Sequence, residues 1–173
     1  MGRVVLWQNV CEGMSTKEVM DVCPAAVVWD GGDSTYKDGS TTLAYIPSYR
    51  VADADLRVQF AFLDGALITV IFNNPNKNTT IFEYLSLCRN LETALTAKYG
   101  EPVQREVHTA EDPKVDIKWE HIDIVVSLFM AHLGVINTTM FSLRYESVAS
   151  ARKRDSVNAA AERSKIAKDA DLL

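Results

Sequence analysis

The sequence predicts an α+β fold: an antiparallel sheet with one long helix packed on one face, followed by a C-terminal helical tail. Three observations carry this. One well-bounded helical pattern occupies residues 80–99. Short stretches of period-two alternation lie before and after it. Residues 147–173 are Ala-rich and contain neither Gly nor Pro. At 173 residues, 47% hydrophobic and 24% charged, the chain suits a single globular domain over 1–146, with 147–173 as the tail.

Residues 3–8 read as a short strand through Val4, Val5, Leu6 and Trp7. Ser15 and Glu18 then form a capping box, in which each side chain satisfies an orphan backbone donor of a helix start. Pro24 stops that helix within about two turns, because it lacks the N–H and clashes with the preceding turn. Residues 25–29 are strand-like. The stretch 30–40 is rich in Asp and Gly. It fails as a calcium loop, since its carboxylates do not alternate and no Glu closes it, and as a phosphate loop, since no G-K-[ST] follows. A solvated loop or hairpin tip is expected there.

Residues 41–46 form a strand, with a turn at Pro47 and Ser48. Leu56, Val58, Phe60 and Phe62 alternate with smaller or polar residues, and Asp64-Gly65 turns the chain into 67–72. A left-handed Gly65 at a bulge would pair Phe62 with Ala66, Phe60 with Ile68, Val58 with Val70 and Leu56 with Phe72. The apolar face of this hairpin is the expected seat of the long helix.

That helix has the clearest signals in the chain. Thr80 and Glu83 make a second capping box, Gly100 follows Tyr99, and Pro102 blocks continuation. Ile81, Tyr84, Leu85, Cys88, Leu91, Leu95 and Tyr99 share one face. Leu87 and Ala94 widen the arc beyond the ~100° of an ordinary surface helix. Such an arc needs a sheet beneath and a cover on one flank. Glu92 at its edge is expected to reach solvent.

Beyond the helix, 103–108 is a strand and 109–114 a loop. Val115, Ile117 and Trp119 alternate with polar residues, 122–130 is an apolar strand, and Gly134 turns the chain. Phe141, Leu143 and Tyr145 alternate again. Strands in meander order pair antiparallel. The order helix, strands, helix, strands suggests a duplication, with repeats at 1–76 and 77–146. The tail has few large aliphatics: Val148, Val157, Ile166, Leu172 and Leu173. A helix this poor in apolar surface needs support. The free flank of the long helix or a second subunit could supply it, and the second is the expectation.

The formal net charge of −5 disfavours nucleic acid as a partner. The tail alone is basic, with six basic residues against four acids, but Arg152-Lys153-Arg154 reads as a solvated helix face. No apolar run is long enough to span a membrane. Residues 1–8 are too short for a secretion signal. The chain as it stands therefore reads as cytoplasmic, or as periplasmic or secreted if a leader has been removed. Cys11, Cys23 and Cys88 make an odd set with no C-x-x-C. Cys88 reads as a core residue, while Cys11 and Cys23 are free thiols or, in an oxidising compartment, a bridge. His108, His121 and His132 have no metal-like spacing, and no nucleophile motif is present. No catalytic, cofactor or metal residue is assigned.

The stretch Gly13-Met14-Ser15-Thr16-Lys17-Glu18-Val19 resembles the G-M-s-x-x-E-V helix start of small bacterial envelope proteins. These are the SmpA/OmlA lipoproteins of β-barrel assembly and their β-lactamase-inhibitor-like relatives. Lys98-Tyr99-Gly100-Glu101-Pro102, with Trp119 and Tyr145, is similar to the K-Y-G-x-P … W … Y pattern of secreted bacterial proteins. The two patches cover about a third of the chain. No lipobox cysteine precedes them, and Cys23-Pro24 stands where a Gly-x-Pro is usual. The resemblance implies a bacterial, non-enzymatic binding or scaffold role using the sheet face or loops. The functional expectation is therefore a non-catalytic interaction module that binds a protein partner or itself, as a homodimer through the tail. The alternative is a small-molecule binder or hydrolase with a pocket between sheet and helix.

Overall fold

The computed structural model describes residues 2–170, with side chains described through residue 163. Its centre is an eight-stranded sheet in the order β3-β4-β5-β6-β10-β9-β8-β7. The strands are β3 (Val27–Val28), β4 (Thr41–Val51), β5 (Ala54–Leu63), β6 (Ala66–Asn73), β7 (Gln104–His108), β8 (Lys114–His121), β9 (Ile124–Leu133) and β10 (Thr138–Ser147). Every neighbouring pair is antiparallel. Helix α1 (Thr16–Val22) precedes the meander β3–β6, and α2 (Ile81–Tyr99) precedes the meander β7–β10. The last strands of the two meanders, β6 and β10, pair at the sheet centre. A small hairpin of β1 (Val5–Trp7) and β2 (Val10–Cys11) opens the chain, and α3 (Val148–Ala170) closes it. The fold is α+β with an antiparallel sheet, as its alternating strands and capped helices predict.

Both capping boxes form. Ser15 and Thr80 each accept from the backbone of the glutamate three residues on, and that glutamate returns the bond. The α2 stripe buries Tyr84, Leu87, Cys88, Leu91 and Leu95. Ala94 is exposed, so the buried arc is narrower than its apolar pattern. Glu92, 25% exposed at the edge of the arc, accepts from Arg105 Nε of β7 at 2.7 Å.

The helix seat differs from expectation. α2 packs on β8 and β9, where Ile117, Trp119, Val126 and Leu128 are buried, and Trp119 Nε1 donates to Thr96 Oγ1 at 3.3 Å. The β5–β6 hairpin face is already occupied by the N-terminal segment. Leu6 and Val10 are buried there, and Trp7 sits edge-on to Phe72 with centroids 5.4 Å apart. Two meanders side by side need two covers: the N-terminal segment with α1 covers the first, and α2 covers the second.

Three local readings are corrected by backbone geometry. β4 runs through Pro47 and Ser48, which fall where its register with β5 shifts, so no ladder N–H is required of the proline. The turn comes instead at Ala52 and Asp53, both with positive φ. Asp64 and Gly65 also both take positive φ (51° and 80°), a two-residue turn that pairs Leu63 with Ala66 and Phe62 with Leu67. A bulge then shifts the ladder, so Phe60 faces Val70 and Val58 faces Phe72. The apolar side survives because the bulge restores alternation. Finally, Ile122 is not in a strand. It turns β8 into β9 with φ +52° and is 82% exposed.

Candidate functional site

One face of the sheet carries α1, α2 and the core. The other, the open face, is written in the alternate residues: Arg57 and Gln59 on β5, Ile71 on β6, Arg144 on β10, Ser127 on β9 and Lys118 on β8. Register places Gln59, Ile71, Arg144, Ser127 and Lys118 in one row across five strands. Period-two alternation makes this unavoidable once Leu143 and Tyr145 point into the core.

The tail lies on this face and not on the flank of α2. Ser147 ends β10 and caps α3, accepting from Ser150 N at 3.0 Å. The Glu12 carboxylate accepts from both Ser147 Oγ and Ser150 Oγ at 2.6 Å, placing an acid at the positive end of the helix dipole. Ala151 is buried against the sheet. Arg154, read from sequence as part of a solvated face, is only 18% exposed and closes on the buried carboxylate of Glu146. Burial pushes the Glu146 carboxyl above its ordinary value, against the downward pull of Arg154 and Arg144. Lys118 Nζ donates to Asp155 at 3.2 Å. The helix is therefore tethered over its first turns, and 158–163 are exposed. Leu172 and Leu173 lie outside the described residues.

Residues 30–40 form the second wall. Trp29 Nε1 donates to Gly32 O at 2.8 Å, and Tyr45 hydroxyl donates to Asp30 Oδ1 at 3.0 Å. Asp38 Oδ1 accepts from Ser40 N and Oγ, making a tight polar turn. This folds Tyr36 onto the open face. Its hydroxyl lies 3.3 Å from Thr42 Oγ1, and its ring sits 5.3 Å from the Arg144 Cζ.

Loop, sheet face and tail thus enclose one cleft of about 950 Å³. Tyr36, Lys37 and Asp38 line it from the loop, Asn158, Ala161 and Glu162 from α3, and Ser127, Phe129, Ser142 and Arg144 form much of its floor. Acids and bases among the lining residues balance closely. A smaller groove of about 630 Å³ lies between α2 and β7, lined by Phe82, Leu85 and Val107.

The histidines do not converge. His108 Nε2 is 3.2 Å from Glu106, His121 rests beside Tyr99 with centroids 6.0 Å apart, and His132 Nδ1 is 3.0 Å from Thr139 Oγ1 with no acid bonded to its ring. Among the described residues no three His, Cys, Asp or Glu side chains gather as metal ligands. Cys11, Cys23 and Cys88 are free thiols. The cleft offers hydrogen-bond donors, aromatic rings and both acidic and basic side chains. Sequence reasoning reached the three regions separately but assigned none of Tyr36, Ser127, Ser142 and Arg144. Alternation could have placed the last three on the open face, but nothing local says that the tail would fold back over it. Compared with known proteins, the chain matches no family model, no curated protein and no solved structure.

Proposed function

We propose that this protein is a non-catalytic interaction module that binds a protein partner through the open face of its sheet, in the cleft beneath α3. The observation that supports it is the convergence of loop 30–40, the sheet face and the tail on that one cleft. The cleft is broad, flanked by exposed helix, and mixed in charge, as the polar part of a recognition surface is. The alternative of a small-molecule site or hydrolase pocket between sheet and α2 has less support. There Leu87, Leu91 and Leu95 are buried in the same core cluster as Ile117, Trp119 and Leu128, and the groove between α2 and β7 lies at the sheet edge.

Self-association through α3 is one form of this reading, since 158–163 leave exposed helix beyond the tethered turns. No helix among the described residues is long and apolar enough to cross a membrane. The test uses the full chain and its Arg144→Glu variant as immobilised baits for a cell extract, with sedimentation velocity of both across a wide concentration range. The expected result is a retained protein, or a concentration-dependent dimer, that is lost in the variant while near-UV circular dichroism is unchanged. A chain that stays monomeric and retains no protein, or retains the same proteins with and without Arg144, sinks the proposal.

A further inference from the structure

We propose that the outer edge of β7 is a self-association surface: two copies join their sheets by antiparallel pairing of β7 with β7 about a two-fold axis at Val107. This surface lies at the sheet edge, apart from the cleft beneath α3, and goes beyond the open-face reading.

The two ends of the sheet are unlike. β3 pairs with β4 over two residues only, whereas β7 runs in unbroken register with β8 from Gln104 to His108. β7 is the last strand, so one side of its backbone has no neighbouring strand. No backbone group outside β8 bonds to it among the described residues. A free edge of this kind is a template for a further strand, and proline or a bulge commonly blunts it. β7 has neither. It does carry charge, and the order of the charges selects the strand it accepts.

Across a two-fold axis each residue meets the one equally far on the other side. An axis on Glu106 sets two carboxylates opposite each other. An axis on Arg105 sets two guanidiniums opposite each other, and Pro102 against the partner's His108. An axis on Val107 sets Glu106 against the partner's His108, twice by symmetry, and Arg105 against the partner's Thr109. Like charges directly opposite destabilise a strand pair, whereas complementary polar pairs stabilise it. Within one copy Glu106 Oε2 accepts from Lys114 Nζ at 2.7 Å, and Glu106 Oε1 lies 3.2 Å from His108 Nε2. A carboxylate has further lone pairs and an imidazole a second nitrogen, so these bonds leave room for a partner. The axis on Val107 therefore closes a ring on the open face in which Glu106 and His108 alternate between the copies.

The other face of β7 fits the same axis. Val107, half-buried against the core, meets its own counterpart there. Beside it runs the groove of about 630 Å³ between α2 and β7, lined by Phe82, 84% exposed, and half-buried Leu85. In the pair the two grooves face each other across the axis, and each walls the side that the other leaves open. A second copy thus satisfies backbone, charge and apolar surface in one register.

Sedimentation velocity of the full chain from low to high micromolar concentration is the test, with Glu106→Lys, His108→Glu and an equimolar mixture of the two. The full chain is expected to dimerise. Glu106→Lys removes the acceptor of both cross-axis pairs, and His108→Glu sets carboxylates opposite each other twice, so each should weaken the dimer about tenfold or more. In the mixture the introduced lysine faces the introduced glutamate, and the remaining Glu106 faces the remaining His108, so the dimer should return. Near-UV circular dichroism checks that each variant is folded. Cys11→Ser/Val107→Cys reads the axis without any charge reversal: paired Cα atoms about 5 Å apart should join in an intermolecular disulfide on mild oxidation. A full chain that stays monomeric, folded reversals that leave the dimer unchanged, or a mixture no better than either reversal alone overturns the β7 interface. So does a dimer kept by both reversals and lost in Arg144→Glu, which belongs to the open face instead. Absence of the disulfide in a chain that still dimerises overturns the axis on Val107.

Discussion

Replacing Arg154 by methionine tests how the tail is held on the sheet. Glu146 is 1% exposed, and its carboxylate faces the Arg154 guanidinium. Burial raises the Glu146 carboxyl above its ordinary value, while Arg154 and then Arg144 oppose the rise. Removing one partner of a buried pair costs about 3–5 kcal/mol when the other stays charged. Glu146 can limit that cost by taking up a proton, so about 3 kcal/mol is expected near neutral pH, a fall in Tm of roughly 6–12 °C for a chain of this size.

The pH dependence has a definite sign. A carboxyl raised in the folded state holds its proton more tightly there than in the unfolded chain. The stability it contributes is full below the ordinary carboxylate value and is lost as pH rises through the raised one. Arg154→Met raises it further, so the deficit of the variant grows from acid toward alkaline pH. Glu146→Gln behaves differently, because Arg154 keeps Asp155 at 3.0 Å; about 1 kcal/mol or less is expected. The double variant recovers most of the loss. Urea unfolding followed by tryptophan fluorescence at about pH 5 and about pH 8 reads these differences. Equal losses in the two single variants, or a deficit for Arg154→Met that does not change with pH, would refute the buried pair as the clamp on α3.

Three further outcomes follow from local structure. Ile122→Gly should stabilise the protein by about 1 kcal/mol in urea unfolding, since a β-branched residue at φ +52° is strained and its exposed side chain gives up little burial; destabilisation would mean the turn is built otherwise. Thr80→Ala should cost about 1 kcal/mol, the value of an N-cap, and no change in the urea midpoint would show that the capping box holds nothing in solution. Timed reaction with a disulfide reagent at mildly alkaline pH should find one fast thiol, Cys11. Burial pushes the Cys88 thiol up to about 12 and raises that of Cys23, so both should react at the rate of unfolding; three fast thiols would contradict the packing of α1 and α2.

The local elements were legible because their causes are local. Thr80 with Glu83 and Ser15 with Glu18 cap their helices by bonds within one turn. Val115, Ile117 and Trp119, like Phe141, Leu143 and Tyr145, are buried on alternate positions, as a pleated strand requires. Where two backbone solutions compete, sequence was less decisive. Asp64-Gly65 fits both a bulged and a two-residue turn, and only the observed register selects the second. Ile122 looks like a strand residue, yet the hairpin between His121 and Ile124 needs a turn there.

The amino-acid sequence by itself determined an α+β chain, its helix limits and the inward face of most strands. Tertiary structure alone decided that α2 covers the second meander, that β6 meets β10, and that α3 folds back over the open face. The reason is the range of the interactions. Caps and alternation act over three or four residues, whereas Arg154 with Glu146, Glu12 with Ser147 and Ser150, and Tyr36 with Arg144 join groups brought together only by the completed sheet.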